Sequence, residues 1–297
     1  MSAERPICVL VAALGGQGGG VLMDWLVAAS RIEEFPAQAT STPGVAQRTG
    51  ATTYYFEVFP QVGLDRRPVF SIYPAPGAVD LQVSFEPTEA ARALSGGFVG
   101  PETTVITAAE RIFSTSEKIR PGDGTIELTP VLEALEACAG KLSIVDLAEG
   151  IRTGRCHPNA VMFGAIAASG ILPFTVETCR KAIEQSGVAV EQNLAGFDAG
   201  KALPSMPIAA TQSPPAVFSA APADLAEQIR SLPKPVQQMA GHAATHLRDY
   251  QDADYAKMFL QRLDRVIACD RKDMTHRLSV SVARRLAAWM AYEDVIR

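Results

Sequence analysis

The sequence predicts a doubly wound α/β domain over about residues 1–203, a proline-rich linker over 204–235 and an α-helical region over 236–297. Three observations lead to this division. At the N-terminus, a buried apolar segment runs into a glycine-rich loop and then a helix-forming segment. Short apolar segments then alternate with helical ones, which is the pattern of an α/β layer fold. Beyond the prolines, apolar residues recur at spacings of three and four, as in amphipathic helices.

The first element, Ile7–Ala13, is a continuous apolar run that is typical of a parallel strand buried on both faces. A helix is predicted from Val21 to Ala29, after the glycines. Further strands are predicted at Thr52–Val58, Val69–Ile72, Asp80–Phe85, Thr103–Thr107 and Leu142–Asp146. Further helices are predicted at Pro87–Leu94, Pro130–Ala139, Asn159–Ala168 and Val176–Gln185, with a short one near Asp224–Arg230.

Composition excludes several classes of protein. The 297 residues carry 27 Lys and Arg against 32 Asp and Glu, for a formal charge of −5, and 47% are hydrophobic. An apolar content this high excludes disorder of the whole chain. The sequence has no basic stretch of the kind that binds nucleic acid. It also has no run of about 18 apolar residues, the length that would predict a membrane span. We therefore expect neither a nucleic-acid nor a membrane partner.

The cysteines indicate a reducing compartment. There are five, an odd number, scattered along the chain without a C-x-x-C pair. This pattern argues against a disulfide framework and against a zinc or iron–sulfur site held by this chain alone. The cytoplasm is the compartment it favours. The chain stops at Asp294–Arg297 without a capping glycine or polar tail, which leaves open whether the natural chain continues beyond Arg297.

Five glycines fill positions 15 to 20 around Gln17, directly after the first strand. Glycine reaches positive φ and lets backbone approach a ligand, and the next helix offers free N–H groups at its N-terminus. A phosphate or carboxylate fits such a place, and a tight turn with close strand–helix packing is the alternative. The dinucleotide fingerprint fails because position 21 is Val21, and a P-loop fails because no lysine follows Gly20.

A second glycine pattern, Gly122-Asp123-Gly124, matches part of a thiamine-diphosphate signature. The asparagine expected some residues later is missing at that spacing, since the first one downstream is Asn159. Asp-Gly between short apolar stretches is first a turn signal. We therefore interpret this triplet as a turn.

Two further segments accompany the glycine loop, namely residues 38–52 (QATSTPGVAQRTGAT) and Asn159–Ala167 (NAVMFGAIA). In their order and spacing, the three segments resemble the γ-type domain of 2-oxoacid:ferredoxin oxidoreductases over about residues 5–200. Within that family the loop is most similar to the small subunit of indolepyruvate (arylpyruvate) oxidoreductases. Thr49 departs from the family, where glycine is common. Residues 249–256 also resemble a helical segment of the long bacterial versions.

The resemblance implies a doubly wound Rossmann-like fold and a defined chemistry. A 2-oxoacid is decarboxylated on thiamine diphosphate, electrons leave through iron–sulfur clusters to ferredoxin, and coenzyme A takes the acyl group. The cofactors perform the difficult steps. By this resemblance, thiamine diphosphate, magnesium and 4Fe–4S clusters belong to a larger partner subunit. The present chain is then a non-cofactor subunit, inactive alone, that shapes the coenzyme A side or the substrate entrance.

The candidate ligand-binding residues follow from the same segments, and no catalytic or metal-ligating residue is assigned. They are Gly15, Gly16, Gln17, Gly18, Gly19, Gln47, Arg48, His157 and Asn159. Gln17 is expected to project its amide, and Arg48 to clamp a carboxylate or phosphate or else to form an interdomain salt bridge.

Other interpretations compete at several polar positions. For Asn159 helix capping is the preferred interpretation, and for His157 a polar surface position. Cys156 has no demonstrable base, so it is not assigned as a nucleophile. His242 and His246, spaced i and i+4, are interpreted as one helix face.

Two other functions remain open on the sequence. A self-contained nucleotide-dependent oxidoreductase would bind NAD or a flavin by itself, and the failed fingerprint counts against it. A non-catalytic assembly module would share the fold but leave turnover intact when Gln17 or Arg48 is changed.

Overall fold

The computed structural model describes residues 5–42, 51–114, 117, 124–211, 222–270 and 275–291. Strand β1 (Ile7–Ala13) is the centre of a six-stranded sheet in the order β2-β3-β1-β4-β5-β6. The other strands are β2 (Ala37–Thr42), β3 (Thr52–Val58), β4 (Leu81–Ser84), β5 (Thr104–Ala108) and β6 (Lys141–Val145). Strands β1, β4, β5 and β6 are parallel, whereas β3 runs antiparallel to both β1 and β2.

Helices cover both faces of this sheet. In chain order they are α1 (Gly19–Ile32), α2 (Pro87–Ser95), α3 (Leu128–Cys138), α4 (Leu147–Gly154), α5 (Pro158–Ser169), α6 (Val176–Ser186) and α7 (Val190–Ala202). Along β1, Val9 and Val11 join the core under α1 and α5, whereas Cys8 and Leu10 join the core under α2 and α3. Strand β1 is thus buried on both faces, and the predicted doubly wound, Rossmann-like α/β architecture is confirmed.

The antiparallel strands differ from the prediction. Strand β2 was missed, because its sequence (AQATST) lacks an apolar alternation, and it forms the sheet edge by pairing with β3. Val69–Ile72 is not a strand, so that prediction was wrong. Side chains hold this segment instead: Glu57 accepts from Ser71 N at 2.6 Å, and Thr40 Oγ1 donates to Ile72 O at 2.8 Å.

Two helices, α4 and α7, were also missed. Helix α7 carries Gly196 and Gly200, and α4 carries Gly150 and ends at Gly154, which lowers helix propensity in both. These glycines have a packing role, because a Cβ on Gly200 would overlap the carbonyl group of Val161 in α5.

The chain divides into two compact units, Met1–Gln212 and Ser213–Arg297. The N-terminal end of the predicted linker is packed on the first unit, where Met206 N donates to Ile144 O at 2.8 Å. A 3₁₀ turn, Ile208–Thr211, follows. The C-terminal end of the linker contributes Leu225, Ile229 and Leu232 to the core of the second unit. Residues 212–221 lie outside the described residues.

The second unit is helical, as predicted for the C-terminal region. Its helices are α8 (Ala226–Ser231), α9 (Lys234–Tyr250), α10 (Ala253–Cys269) and α11 (Arg277–Met290). Their core contains Val236, Leu247, Phe259, Leu260 and Leu263, each fully buried. Of the apolar residues spaced by three and four in the sequence, Phe259 and Leu263 lie in this core, whereas Met258, Leu278 and Trp289 are exposed, so the pattern identified the core only in part.

Candidate functional site

The glycine loop joins the carboxyl end of β1 to α1. Gly16 and Gly18 have φ of 88° and 78°, a left-handed conformation that favours glycine. Gly15 and Gly16 are exposed, and a Cβ added to either would meet nothing within 4 Å. The loop is therefore open to solvent on the side of its first two glycines.

Helix α1 begins directly after this loop. Gly18 is its N-cap residue, and no side chain caps the helix. The backbone of Leu22 donates to Gly18 O at 3.0 Å, so the N–H groups before it precede the first intrahelical bond. The first turn carries no acidic residue. Its free N–H groups and partial positive charge suit an anionic group.

Gln17 is bound at both ends of its amide. Its Oε1 accepts a hydrogen bond from Leu14 N at 2.7 Å, and its Nε2 donates to Phe85 O at 3.3 Å. Phe85 follows β4, the parallel neighbour of β1, and helices α1 and α2 leave these two strands toward opposite faces. Gln17 therefore spans the switch point where ligands of open α/β sheets bind.

Two of the three sequence segments meet at Gly18. A Cβ on Gly18 would lie 2.7 Å from Asn159 Cγ and 2.8 Å from its Oδ1. The Asn159 residue is 3% exposed, and its Oδ1 has no hydrogen-bond partner within the described ranges. The start of α5 thus lies against the start of α1.

Asn159 does not cap α5, so the preferred interpretation of this residue was wrong. The helix begins at Pro158, whose missing N–H and fixed φ suit the first helical position. His157 is therefore the N-cap residue, and Asn159 falls inside the first turn. His157 is exposed, and its side chain makes no capping hydrogen bond.

Burial raises the pKa of the Cys156 thiol, which favours the protonated form. Because the thiolate is the nucleophile, this environment argues against a nucleophilic role for Cys156.

Gln47 and Arg48 lie outside the described residues. The chain is described again from Ala51, and Thr52 pairs with Ala13 at the end of β1. Because β3 is antiparallel to β1, its first residues meet the last residues of β1. Thr52 therefore lies beside the last residue of β1, where the connection to the glycine loop begins.

Tyr54 is a neighbour of the loop that sequence reasoning missed. A Cβ on Gly19 would lie 2.6 Å from Tyr54 Cε2 and 2.7 Å from Ala13 Cβ. Gly19 thus lets α1 approach β1 and β3 closely. This contact depends on the register in which β3 pairs with β1, and that register cannot be deduced from the sequence.

The start of α2 adds two carboxyl groups to the same end of the sheet. Glu86 is the N-cap residue and accepts from Thr88 N at 2.8 Å. Burial raises the pKa of the Glu89 carboxyl above its ordinary value, while Arg92 and the backbone of Ala51 act in the opposite direction. Glu89 therefore lies beside Ala51, the residue that precedes β3.

Arg111 connects Glu86 to the loop after β5. Its Nε donates to Glu86 Oε1 at 2.7 Å, and its Nη2 donates to Glu117 Oε1 at 2.6 Å. The three side chains are 9%, 2% and 3% exposed, respectively. Its Nη1 donates to Ile126 O at 2.8 Å. Arg111 therefore fastens the β5–α3 connection to the N-terminus of α2.

Burial opposes ionisation of Glu117, but four hydrogen bonds outweigh it. They come from the backbone N–H groups of Ile126 and Ser114, from Arg111 and from the Ser114 hydroxyl. Together they lower the pKa of Glu117 to about 2. Glu117 is therefore a carboxylate at physiological pH.

The cysteines lie in separate places. Cys8 and Cys179 are buried, Cys156 is intermediate, and Cys138 and Cys269 are exposed. Across the part of the chain that the structure describes, no three His, Cys, Asp or Glu side chains come together as a metal site.

His242 and His246 lie on α9, as their spacing predicted. Among the described helices, none is long and apolar enough to cross a membrane.

Several solved structures resemble the chain at low identity. The Thermotoga maritima pyruvate oxidoreductase subunit PORC gives a TM-score of 0.44 at 17% identity, over 66% of this chain and 96% of that one. The γ subunit of a keto/oxoacid ferredoxin oxidoreductase from Geobacter sulfurreducens gives 0.43 at 14%, over 66% and 94%.

The 2-oxoglutarate:ferredoxin oxidoreductase from Magnetococcus marinus gives a TM-score of 0.48 at 14% identity, over 67% of this chain and 31% of that one. At these TM-scores, none of the three likenesses carries an argument about activity.

Matches to family models divide the chain as the two units do. Residues 236–297 match a family of unknown function, DUF6537. No curated protein matches the chain significantly. The model described as pyruvate ferredoxin/flavodoxin oxidoreductase matches residues 8–203, which include the glycine loop, Asn159 and all of the sheet except Ile7. The chain therefore belongs to the pyruvate ferredoxin/flavodoxin oxidoreductase family.

Proposed function

We propose that this chain is the non-cofactor subunit of a cytoplasmic arylpyruvate (indolepyruvate):ferredoxin oxidoreductase. The complex decarboxylates a 2-oxoacid oxidatively and forms its acyl-coenzyme A. Thiamine diphosphate, magnesium and 4Fe–4S clusters are assigned to a larger partner subunit, and ferredoxin accepts electrons through the complex. The chain alone is then inactive. Family membership supports a role in this class of enzyme, and the aryl preference rests on the sequence of the glycine loop.

The observation that carries the proposal is the meeting of Gly18 with Asn159. These residues belong to segments separated by about 140 positions in the sequence, and both segments carry the resemblance to the γ-type domain. The third segment, with Gln47 and Arg48, ends beside Ala13 through the β3–β1 pairing. Two of the segments, together with the described end of the third at Thr52, therefore lie at the carboxyl end of β1, which supports one ligand site there.

The chain's own contribution is the binding of an anion. The free N–H groups at the start of α1 suit a phosphate of coenzyme A or the carboxylate of the 2-oxoacid. Arg48 would add a charged, planar donor. Backbone N–H groups and an arginine side chain do not accept a proton at physiological pH. The expected role of this chain is therefore to orient a ligand over the partner's active centre.

The test of the proposal is co-purification at native expression level, followed by repetition with this chain alone. We expect a large brown partner with iron–sulfur absorbance and bound thiamine, and a colourless isolated chain. The complex should reduce ferredoxin only with an arylpyruvate and coenzyme A. A chain that purifies alone and binds NAD or flavin stoichiometrically would overturn the proposal and favour a self-contained oxidoreductase.

Arg48→Ala in the full complex tests the site itself. Loss of a charge-assisted contact costs on the order of 1.5–3 kcal/mol, so KM for coenzyme A or the 2-oxoacid should rise, or turnover fall, roughly ten- to a hundredfold. Arg66→Ala is the matched control, because Arg66 is exposed in the connection between β3 and β4. Unchanged kinetics in Arg48→Ala would remove Arg48 from the site and favour an assembly role.

A further inference from the structure

Both ends of the Gln17 amide are bound to backbone groups of the fold. Its Oε1 accepts from Leu14 N at 2.7 Å, and its Nε2 donates to Phe85 O at 3.3 Å. A backbone N–H can only donate and a backbone carbonyl can only accept, so the two partners fix which end of the amide carries the oxygen. The two bonds therefore fix the position and the plane of the amide, while one N–H of Nε2 and one lone pair of Oε1 are not used by these partners.

The two partners of Gln17 lie after different strands. Leu14 follows β1, and Phe85 follows β4, so the side chain connects the carboxyl ends of two parallel neighbours. The backbone of Gln17 also donates to Leu14 O at 3.2 Å, which closes the turn. The two left-handed glycines, Gly16 and Gly18, flank this residue directly.

A glycine-rich loop has many accessible backbone conformations, so it needs a constraint to present its N–H groups in one direction. The loop contains one residue with a long side chain, and that side chain is bonded to its own turn and to the next strand. Two hydrogen bonds therefore restrict the loop where glycine alone would leave it free.

We propose that Gln17 is a positioning residue, which fixes the glycine loop through Leu14 and Phe85 so that backbone N–H groups of α1, and not its own amide, meet the ligand. The identity of that ligand as coenzyme A rests on the proposed function. The constraint on the loop does not, because it is a property of the unliganded chain.

Hydrogen exchange at the Leu14 amide reports this constraint directly. In the full chain without ligand, Gln17→Met keeps the side-chain length but removes the acceptor of Leu14 N. One hydrogen bond is worth about 1 kcal/mol, so Leu14 should exchange roughly five- to tenfold faster. In the complex, KM for coenzyme A should rise by about the same factor with kcat changed less. Gln185→Met, on the exposed surface of α6, is the matched control and should change neither.

Gln17→Glu keeps the proposal testable if Gln17→Met does not fold. Its carboxylate still accepts from Leu14 N but faces Phe85 O without a proton to donate. Leu14 should stay protected at pH 7, and KM for coenzyme A should rise because an anion now adjoins the loop. Lowering the pH restores the missing donor, so KM should recover relative to wild type, whereas Gln185→Glu should follow wild type throughout.

Unchanged exchange at Leu14 in Gln17→Met would overturn the proposal. A raised KM with Leu14 still protected would overturn it too, because that result indicates direct contact with the ligand. Faster exchange with an unchanged KM would show that the constraint does not serve binding. If the wild-type complex shows no coenzyme A-dependent activity, the proposed function fails, while the Leu14 measurement still decides whether Gln17 fixes the loop.

Discussion

Replacing Arg111 by methionine should destabilise the first unit strongly. Arg111 is the cation between Glu86 and Glu117, at 2.7 and 2.6 Å, and both carboxylates are almost completely buried. Methionine fills a similar length but supplies neither charge nor hydrogen bond. Two buried carboxylates then lose the counter-charge that they share.

The structure sets the size of this effect. Removing one partner of a buried ion pair costs about 3–5 kcal/mol, because the remaining charge is desolvated and unpaired. For a unit of this size, about 1 kcal/mol changes Tm by roughly 2–4 °C, so the expected loss is about 6–20 °C. Arg92→Met is the control, since Arg92 is 64% exposed and its 3.2 Å pair with Glu89 is a surface pair worth at most about 1 kcal/mol.

Tryptophan fluorescence can follow the first unit alone. The chain has two tryptophans, of which Trp25 is 1% exposed in the first unit and Trp289 is 84% exposed in the second. In a Trp289→Phe background, the emission of Trp25 reports unfolding of the unit that contains Arg111. A loss below about 1 kcal/mol in Arg111→Met, or an equal loss in Arg92→Met, would refute the reasoning.

The effect should depend on pH in one direction. The pKa of Glu117 is lowered from 4.5 to about 2 in the folded chain, so ionised Glu117 contributes stability above its unfolded pKa. This shift corresponds to about 3 kcal/mol, lost as pH falls from 4.5 toward 2. Without Arg111 the pKa of Glu117 rises, and less stability remains to be lost. The difference between wild type and Arg111→Met should therefore narrow on acidification.

Three further substitutions test the packing around the site. Gly18→Ala should lower the free energy of unfolding by at least about 1–2 kcal/mol, because alanine is strained at a φ of 78° and its Cβ would meet Asn159. Gly15→Ala is the control and should unfold like wild type, because a Cβ there meets nothing within 4 Å. Gly200→Ala should cost about 1–3 kcal/mol by thermal unfolding through overpacking of α5 on α7, and wild-type stability would contradict that crossing. Gln82→Met should stabilise the chain by about 1 kcal/mol in urea, because Gln82 is fully buried and its amide atoms have no partner among the described residues; destabilisation would contradict this.

The central strands could be predicted because burial on both faces leaves a strong sequence pattern. Ile7–Ala13 and Thr52–Val58 match the predicted bounds of β1 and β3. Strand β2 could not, since an edge strand with side chains such as Gln38 and Thr40 has no apolar face to display. Val69–Ile72 failed for the opposite reason. Its apolar residues are exposed, Val69 to 93% and Ile72 to 76%, so apolar content there does not indicate a sheet.

The glycine loop was predictable as a location but not as a set of contacts. Positive φ at Gly16 and Gly18 follows from residue type. The partners of Gln17 do not, because Phe85 lies 68 positions away and is reached only after β1 and β4 pair. Glu86, Arg111 and Glu117 escaped notice for the same reason, since isolated charges in a sequence usually lie on solvated surfaces.

The helical segment Asn159–Ala167 contributes to the site from a distance through its packing. A Cβ on Gly164 would overlap the backbone of Phe197 in α7, and a Cβ on Gly200 would overlap Val161 in α5. These two glycines let the backbones of α5 and α7 come into contact. That contact fixes the position of α5, and with it the position of its first turn. Asn159, in its first turn, thereby comes against Gly18. The spacing of five positions from Asn159 to Gly164 thus separates two contacts of α5: Gly164 packs against α7, and Asn159 packs against the glycine loop at Gly18.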